Sequence, residues 1–217
     1  MRVIVFLVAL FSACAAARAE DLLGSDQKAY GKEIRIFSAT QSRDRYATVT
    51  GRVLMDGTLA APATLFSDVD GLPGWIENLA AAKEIEARTL TDRMVYMRFS
   101  APAGFADRDG LMRFVASKEA RKIIILTFED IPAFPLQSDT VRMTDVRGKF
   151  RVEQVSPGTL AVEFRLHYDS SAKPVALANL SVRQQVKQTL VRMRQRIEGP
   201  LRHASFDGAL ARSLGLE

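Results

Sequence analysis

The chain of 217 residues contains one cysteine, Cys14, and two histidines, His167 and His203. With Cys14 near the N-terminus, the folded domain has no second thiol for a disulfide and no thiolate set for a metal, so it must be stabilised by its core. Two histidines far apart in sequence, with no nucleophile and orienting acid beside either, give no pattern for a metal centre or a hydrolytic triad. No glycine-rich loop follows a strand, which argues against nucleotide binding. The charges are mixed in sign, 30 Lys+Arg against 25 Asp+Glu, and lack the bias of a nucleic-acid binder. After the first residues no apolar run reaches the eighteen or so residues that a spanning helix needs. Internal repeats and low-complexity segments are absent as well.

The longest apolar run lies at the start and has the parts of an export signal. Arg2 supplies the positive charge, Val3 to Phe11 the apolar stretch, and Ala17-Arg18-Ala19 a small-residue cleavage site. Residues 1–19 are therefore expected to be a signal peptide, leaving a domain of about 198 residues whose net charge falls from +5 to +3 without Arg2 and Arg18. The expected location is periplasmic or secreted. The alternative is a lipoprotein, because Leu10-Phe11-Ser12-Ala13-Cys14 resembles a loose acylation site in which Cys14 becomes the lipid-anchored N-terminus.

Beyond residue 19, periodicity orders the chain. Residues 20–45 read as a polar N-terminal segment and a first strand, residues 46–198 as the main domain, and residues 199–217 as a tail. Ile34–Phe37 and Tyr46–Leu54 are expected strands joined through Gln41–Arg45. Leu65, Val69 and Leu72 recur at helical spacing between Ala61 and Leu79, with Pro62 at the start, Pro73-Gly74 as the break, and Trp75 and Ile76 plugging one end of the core. Lys83–Asp169 reads as strands with turns at 91–92, 102–107, 118–120, 132–139 and 156–158. In the clearest strand Leu160, Val162, Phe164, Leu166 and Tyr168 alternate with Ala161, Glu163, Arg165 and His167. Ile123–Leu126 is apolar on both faces, as a central or covered strand would be. From Pro174 to Ile197 the period is helical, with Val182, Val186, Leu190, Met193 and Ile197 on one face and Arg183, Lys187, Arg192, Arg194 and Arg196 on the other. A long helix laid over a curved antiparallel sheet leaves an apolar gap suited to an apolar ligand.

This order resembles the START (StAR-related lipid-transfer) family. The residues that carry the resemblance are Gly74-Trp75, Lys83-Glu84-Ile85, Arg108-Asp109, Val141-Arg142, Gly148-Lys149-Phe150, Ser156-Pro157-Gly158-Thr159, Asp169 and Pro174, spread over residues 48–197. It implies an α+β helix-grip fold, in which a curved antiparallel sheet wraps a long C-terminal helix around an internal apolar cavity. It further implies carriage or sensing of a hydrophobic ligand with no cofactor, the terminal helix and a neighbouring loop serving as lid. Two departures stand out. The strand Met94–Ser100 has no acid and Phe114 stands six residues beyond Arg108, so the family's polar anchor for a sterol hydroxyl is missing; and Phe150 replaces a tryptophan.

Within that frame Tyr96, Arg98 and Tyr168 are expected to be the polar positions of the cavity. Ile131, Phe134 and Leu136, between Pro132 and Pro135, are expected to close as a lid on Val175, Leu177 and Leu180. The bland account of that loop is that Ile131 and Leu136 fold back on the core. Arg108-Asp109 reads as a structural pair fixing the turn after Pro102. Arg192, Arg194 and Arg196 form a basic face for transient contact with anionic lipid, or an ordinary solvated surface. Partners are thus a lipid or other hydrophobic molecule and a membrane surface, with no nucleic acid. Sterol, phospholipid, fatty acid and quinone remain open as ligands. A cyclase-like or hydrolytic enzyme using the same cavity, and an interaction domain with a collapsed core, are the rival readings.

Overall fold

The computed structural model describes residues 30–42, 44–132 and 134–216. The expected signal peptide and Cys14 lie outside the described residues. In chain order the elements are β1 (Arg35–Ala39), β2 (Thr48–Asp56), α1 (Ala60–Ser67), a 3-10 turn (Leu72–Gly74), β3 (Leu79–Thr89), β4 (Asp92–Phe99), β5 (Asp107–Ala120), β6 (Ile123–Asp130), β7 (Thr140–Arg142), β8 (Thr144–Ser156), β9 (Thr159–Asp169), α2 (Val175–Glu198) and α3 (Gly208–Ser213). One curved sheet runs β1-β2-β9-β8-β6-β5-β4-β3 with antiparallel neighbours, and the short β7 pairs in parallel with the start of β5. The fold is α+β, a curved open sheet with a long C-terminal helix in its grip.

The alternation in β9 positions the core. Leu160, Val162, Phe164 and Leu166 face inward at 0–4% exposure. Across β8 and β6 they are joined by Phe150, Val152, Ile124 and Leu126, all buried. The α2 stripe Val182, Val186, Leu190, Met193 and Ile197 is 0–2% exposed, and its burial stabilises the fold by about 1.5–3 kcal/mol for each large side chain. Close approach of α2 to β2 depends on Gly51, where an added Cβ would lie 2.5 Å from Leu190 Cδ1 and 2.9 Å from Val186 Cγ1.

The outer face also has a small core. Tyr30 packs on Leu54 and Ala161 with Val155 beside them, and Arg52 lies over the Tyr30 ring at 5.6 Å. This explains why Ala161, on the face expected to be polar, is 1% exposed. The central place of β6 between β8 and β5 explains the apolar run Ile123–Leu126.

Two boundaries differ from the sequence reading. Helix α1 stops at Ser67, because Asp68 leaves the helical region (ψ 86°) and its Oδ1 accepts the Gly71 N–H at 2.9 Å. Val69 and Leu72 are buried from that turn and not from a helix. Strand β5 continues through Lys118–Ala120 with a register shift there, and the reversal falls at Arg121-Lys122.

Gly51→Val is expected to lower stability by about 1–3 kcal/mol, since the added methyls must displace α2 or force side chains off their rotamers. Thermal and denaturant unfolding measure this; a variant as stable as wild type would show that α2 does not seat against β2 through this position.

Candidate functional site

Successive side chains on a strand point to opposite faces, and β5 applies this rule to Arg108 and Asp109. Asp109, fully buried, points outward. Its carboxylate accepts two bonds from Arg142, Nε at 2.9 Å and Nη2 at 3.2 Å, and one from the Tyr96 hydroxyl at 3.2 Å. Arg142 in turn donates to the carbonyls of Phe134 and Pro135, at 3.0 and 2.9 Å. Phe134 lies against the Tyr96 ring at 5.4 Å and under the Arg142 guanidinium at 5.7 Å. Burial first, and the Asp109 charge second, push the Tyr96 hydroxyl above its ordinary pKa, which keeps it a neutral donor.

This outward cluster corrects three expectations. Tyr96 and Arg98 share the outer face of β4 and line neither of the two inner spaces described below; Arg98 pairs with Asp107 at 2.9 Å and Asp139 at 2.7 Å. The turn after Pro102 is held by Asp107, whose Oδ1 accepts the Ala101 N–H at 3.0 Å, and not by Asp109. That backbone bond and then Arg98 hold the Asp107 carboxyl below its usual pKa. Asp109 instead anchors the loop after β6. Phe134 is therefore fastened to the sheet's outer face, and Leu136 is 76% exposed. Neither they nor Ile131 line the pocket at the start of α2.

Arg108 points inward. Its Nε donates to the Ser170 carbonyl at 3.2 Å and its Nη1 to the Ala106 carbonyl. Beside it opens a pocket of about 460 Å³ between the β4–β5 loop and the first turns of α2, with walls that include Phe99, Phe105, Met143, Tyr168, Leu177 and Ala178. Phe105 and Leu177 are each 61% exposed at its rim, and Leu180 nearby is 59% exposed. Val175 is partly buried. Of the helix residues expected at the lid only Leu177 lines the pocket, Val175 and Leu180 do not, and the loop facing it is Pro102–Phe105.

Below this pocket lies a second space of about 30 Å³, walled by Met97, Met112, Phe114, Phe128, Phe150 and Phe164 among others. Most of the concave interior is filled by rings: Phe150 stacks on Phe164 at 4.0 Å, Phe114 on Phe128 at 5.2 Å, and Trp75 meets Phe150 edge-on at 5.7 Å. Phe99, Met143, Tyr168 and Gln185 line both spaces and so form the partition between them. Within it the Tyr168 hydroxyl donates to Gln185 Oε1 at 3.1 Å. Desolvation pushes the Tyr168 pKa up to about 12, with Arg108 opposing.

Sequence reasoning missed Gln185 and Thr189. They occupy the same face as Val182, Val186 and Met193, at helical spacing, yet they are buried. Thr189 Oγ1 accepts the Glu77 N–H at 3.1 Å and Gln185 Nε2 reaches the Glu77 carbonyl at 3.5 Å, which ties α2 to the segment after Trp75. On the other face, Arg192 pairs with Glu77 at 2.6 Å. Arg194 donates to the carbonyls of Lys32 and Leu54, and Arg196 is exposed. Two of the three expected membrane-facing cations thus hold the molecule together. All three lie at the far end of α2, about 22 Å or more from Leu177 at 1.5 Å per residue.

His167 is on the outer face as expected, but it is 3% exposed. Its Nδ1 lies 3.3 Å from Thr48 Oγ1 and its Nε2 3.2 Å from Asp145. Asp44 joins them, so that one ligand atom of each lies within 4.8 Å of the others. Arg147 reaches both carboxylates, at 3.4 and 3.0 Å, and supplies the positive charge of this cluster.

No family model and no curated protein matches the sequence. Solved structures do match. The STAR-related lipid transfer protein of Xanthomonas axonopodis superposes with a TM-score of 0.70 at 22% identity, over 76% of this chain and 93% of that one. This is the START-like helix-grip fold. Human STARD10 superposes on the START-like chain with a TM-score of 0.65 at 15% identity, over 77% of this chain and 70% of that one. Human StAR-related lipid transfer protein 5 reaches 0.65 at 14% identity, over 86% and 97%. The neighbours of this START-like fold also include two aromatase/cyclases at TM-scores of 0.49 and 0.48, a level from which no activity is read.

Asp109→Ala is expected to cost about 3–5 kcal/mol, because it leaves the Arg142 guanidinium buried without its anion, while ligand affinity per folded molecule stays close to wild type. A stable Asp109→Ala that no longer binds would overturn the structural role. For Tyr168 the sign follows from its raised pKa: the folded state holds the phenol proton more tightly, so stability falls as pH rises from 10 towards about 12. Tyr168→Phe is expected to lessen the fall of the denaturant midpoint over that interval, with the raised Tyr96 and Tyr30 accounting for part of what remains; an unchanged slope would contradict the desolvated phenol.

Proposed function

We propose that this chain binds a lipid-like hydrophobic molecule in the pocket between the β4–β5 loop and α2, and carries or senses it without catalysis. The observation that carries this reading is an open, mainly apolar pocket whose rim exposes Phe105 and Leu177 to solvent. Its volume of about 460 Å³ falls in the range of small-molecule sites. Contiguous exposed apolar side chains at a pocket mouth are costly in water and favourable against a bilayer. The lining residues include no histidine and no carboxylate, which supports binding over acid-base chemistry. Fold likeness to proteins named for lipid transfer agrees with it, as an analogy of fold.

In this reading the membrane-facing element is the Pro102–Phe105 loop with the start of α2. Contact with a bilayer offsets the cost of exposing Phe105, Leu177 and Leu180, and the basic residues near the end of α2 take no part. The export pattern at residues 1–19 supports a reading in which the protein works in the periplasm or outside the cell.

Phe105→Asp and Leu177→Asp are expected to slow lipid transfer between vesicles about tenfold or more, the equivalent of one large apolar side chain lost from the membrane. Phe134→Asp should transfer like wild type. Ala178→Trp, which fills the pocket, should abolish equilibrium binding of a detergent-delivered lipid while leaving the fold intact by circular dichroism. Unchanged transfer in both rim variants and unchanged binding in Ala178→Trp would eliminate this pocket. Mass spectrometry of protein from its native host reads both the extracted lipid and the chain start: Glu20 for a cleaved signal, acylated Cys14 for a lipoprotein, Met1 against export.

A further inference from the structure

Arg108 differs from the arginines around it. Arg98, Arg113 and Arg142 each pair with a carboxylate. Among the described residues Arg108 bonds only to the backbone carbonyls of Ser170 and Ala106. Its sequence neighbours do not hydrogen-bond it: strand alternation turns Asp109 to the other face, and Asp107, though close enough to feel the Arg108 charge, accepts its bonds from the Ala101 N–H and Arg98. The guanidinium is partly buried at the wall of the pocket. Lys173 stands at the same rim, and no lining residue is acidic.

Two cations at a mainly apolar pocket, neither in an ion pair among the described residues and with no acid in the lining, favour an anion there, and the low dielectric of the walls strengthens the attraction. A guanidinium offers a planar fork of N–H donors that matches a carboxylate or phosphate. The partition behind Arg108 gives the ligand its direction. Tyr168, Gln185, Phe99 and Met143 separate the pocket from the inner space, and beyond them stand Met97 and Met112. Methionine side chains move aside more readily than branched ones, so a flexible chain has a route inward that a rigid ring system lacks.

We propose that the pocket selects an anionic amphiphile, its carboxylate or phosphate held by Arg108 and Lys173 and its hydrocarbon tail directed past the Tyr168–Gln185 pair towards Met97 and Met112. This rests on the binding reading above and narrows its ligand class. It also gives the Arg108-Asp109 dipeptide a divided role, Asp109 fastening a loop outside and Arg108 receiving a head group inside.

The test compares three ligands of one chain length on the whole protein by calorimetric titration: hexadecanoate, hexadecanol and palmitoyl lysophosphatidate. Wild type is expected to bind an anionic ligand about 10- to 100-fold more tightly than the alcohol, the worth of a charge-assisted hydrogen-bonded contact. Preference for hexadecanoate points to a free fatty acid and preference for lysophosphatidate to a phospholipid; either result supports the proposal. Arg108→Gln should cut the preference about fivefold or more, down to what Lys173 alone supplies, and Arg108→Lys should restore part of it. If Arg108→Gln does not fold, Lys173→Gln at the exposed rim is the substitute, expected to cut the preference about two- to fivefold; no cut overturns the proposal. Equal affinity for acid and alcohol, or a preference that Arg108→Gln leaves undiminished, overturns it while hexadecanol binding leaves the pocket reading standing. If none of the three ligands binds, both fall together.

Discussion

The whole arrangement depends on how closely α2 lies against β2. Gly51 has no side chain where Leu190 and Val186 descend, and that missing methyl lets the helix seat deep in the curve of the sheet. The seated helix then presents Gln185 and Thr189 to the interior and Leu177 and Ala178 to the pocket. Bonds from these two polar side chains to Glu77 join the helix to the segment that carries Trp75. Register along α2, set by van der Waals contact with β2, thereby decides which polar atoms reach the pocket.

The second organising constraint is the two-sided nature of strands. On β5 it sends a buried carboxylate outward and a guanidinium inward, within a single dipeptide. On β9 it separates the inward Tyr168 from the outward His167. The outer face consequently holds a chemistry of its own, with ion pairs at Asp109, Arg98 and Arg147 and a small apolar patch under Tyr30. The inner face keeps its polar groups to the partition, the rim and Thr189.

Elements governed by one-dimensional period were legible in the sequence: the α2 stripe, the β9 alternation and the aromatic plug at Trp75 all stand where spacing predicts them. Facing was harder to read wherever apolar residues occupy both sides. Met94, Val95 and Met97 leave the parity of β4 undetermined, so spacing alone does not show that Tyr96 and Arg98 face outward. Arg108 and Asp109 form one unit in sequence, although adjacent strand residues point to opposite faces. Phe105 carries the same signal as the later proline-bracketed loop, a large apolar residue in a turn, but which loop meets the helix depends on strand order and not on composition. The meeting of Asp44, Asp145 and His167 depends on a register shift at the far end of the β8–β9 hairpin and on where the β1–β2 connection lies, which no local pattern encodes.

Trp75 is the chain's single tryptophan. It is 1% exposed and meets Phe150 edge-on at 5.7 Å, and Phe150 also lines the inner space. An indole so placed is shielded from solvent quenching and reports on its aromatic neighbour through its emission. The molecule therefore contains an intrinsic optical gauge, one ring away from the compartment and free of interference from any second fluorophore of its kind, by which the filling of its interior can be followed in real time without a label.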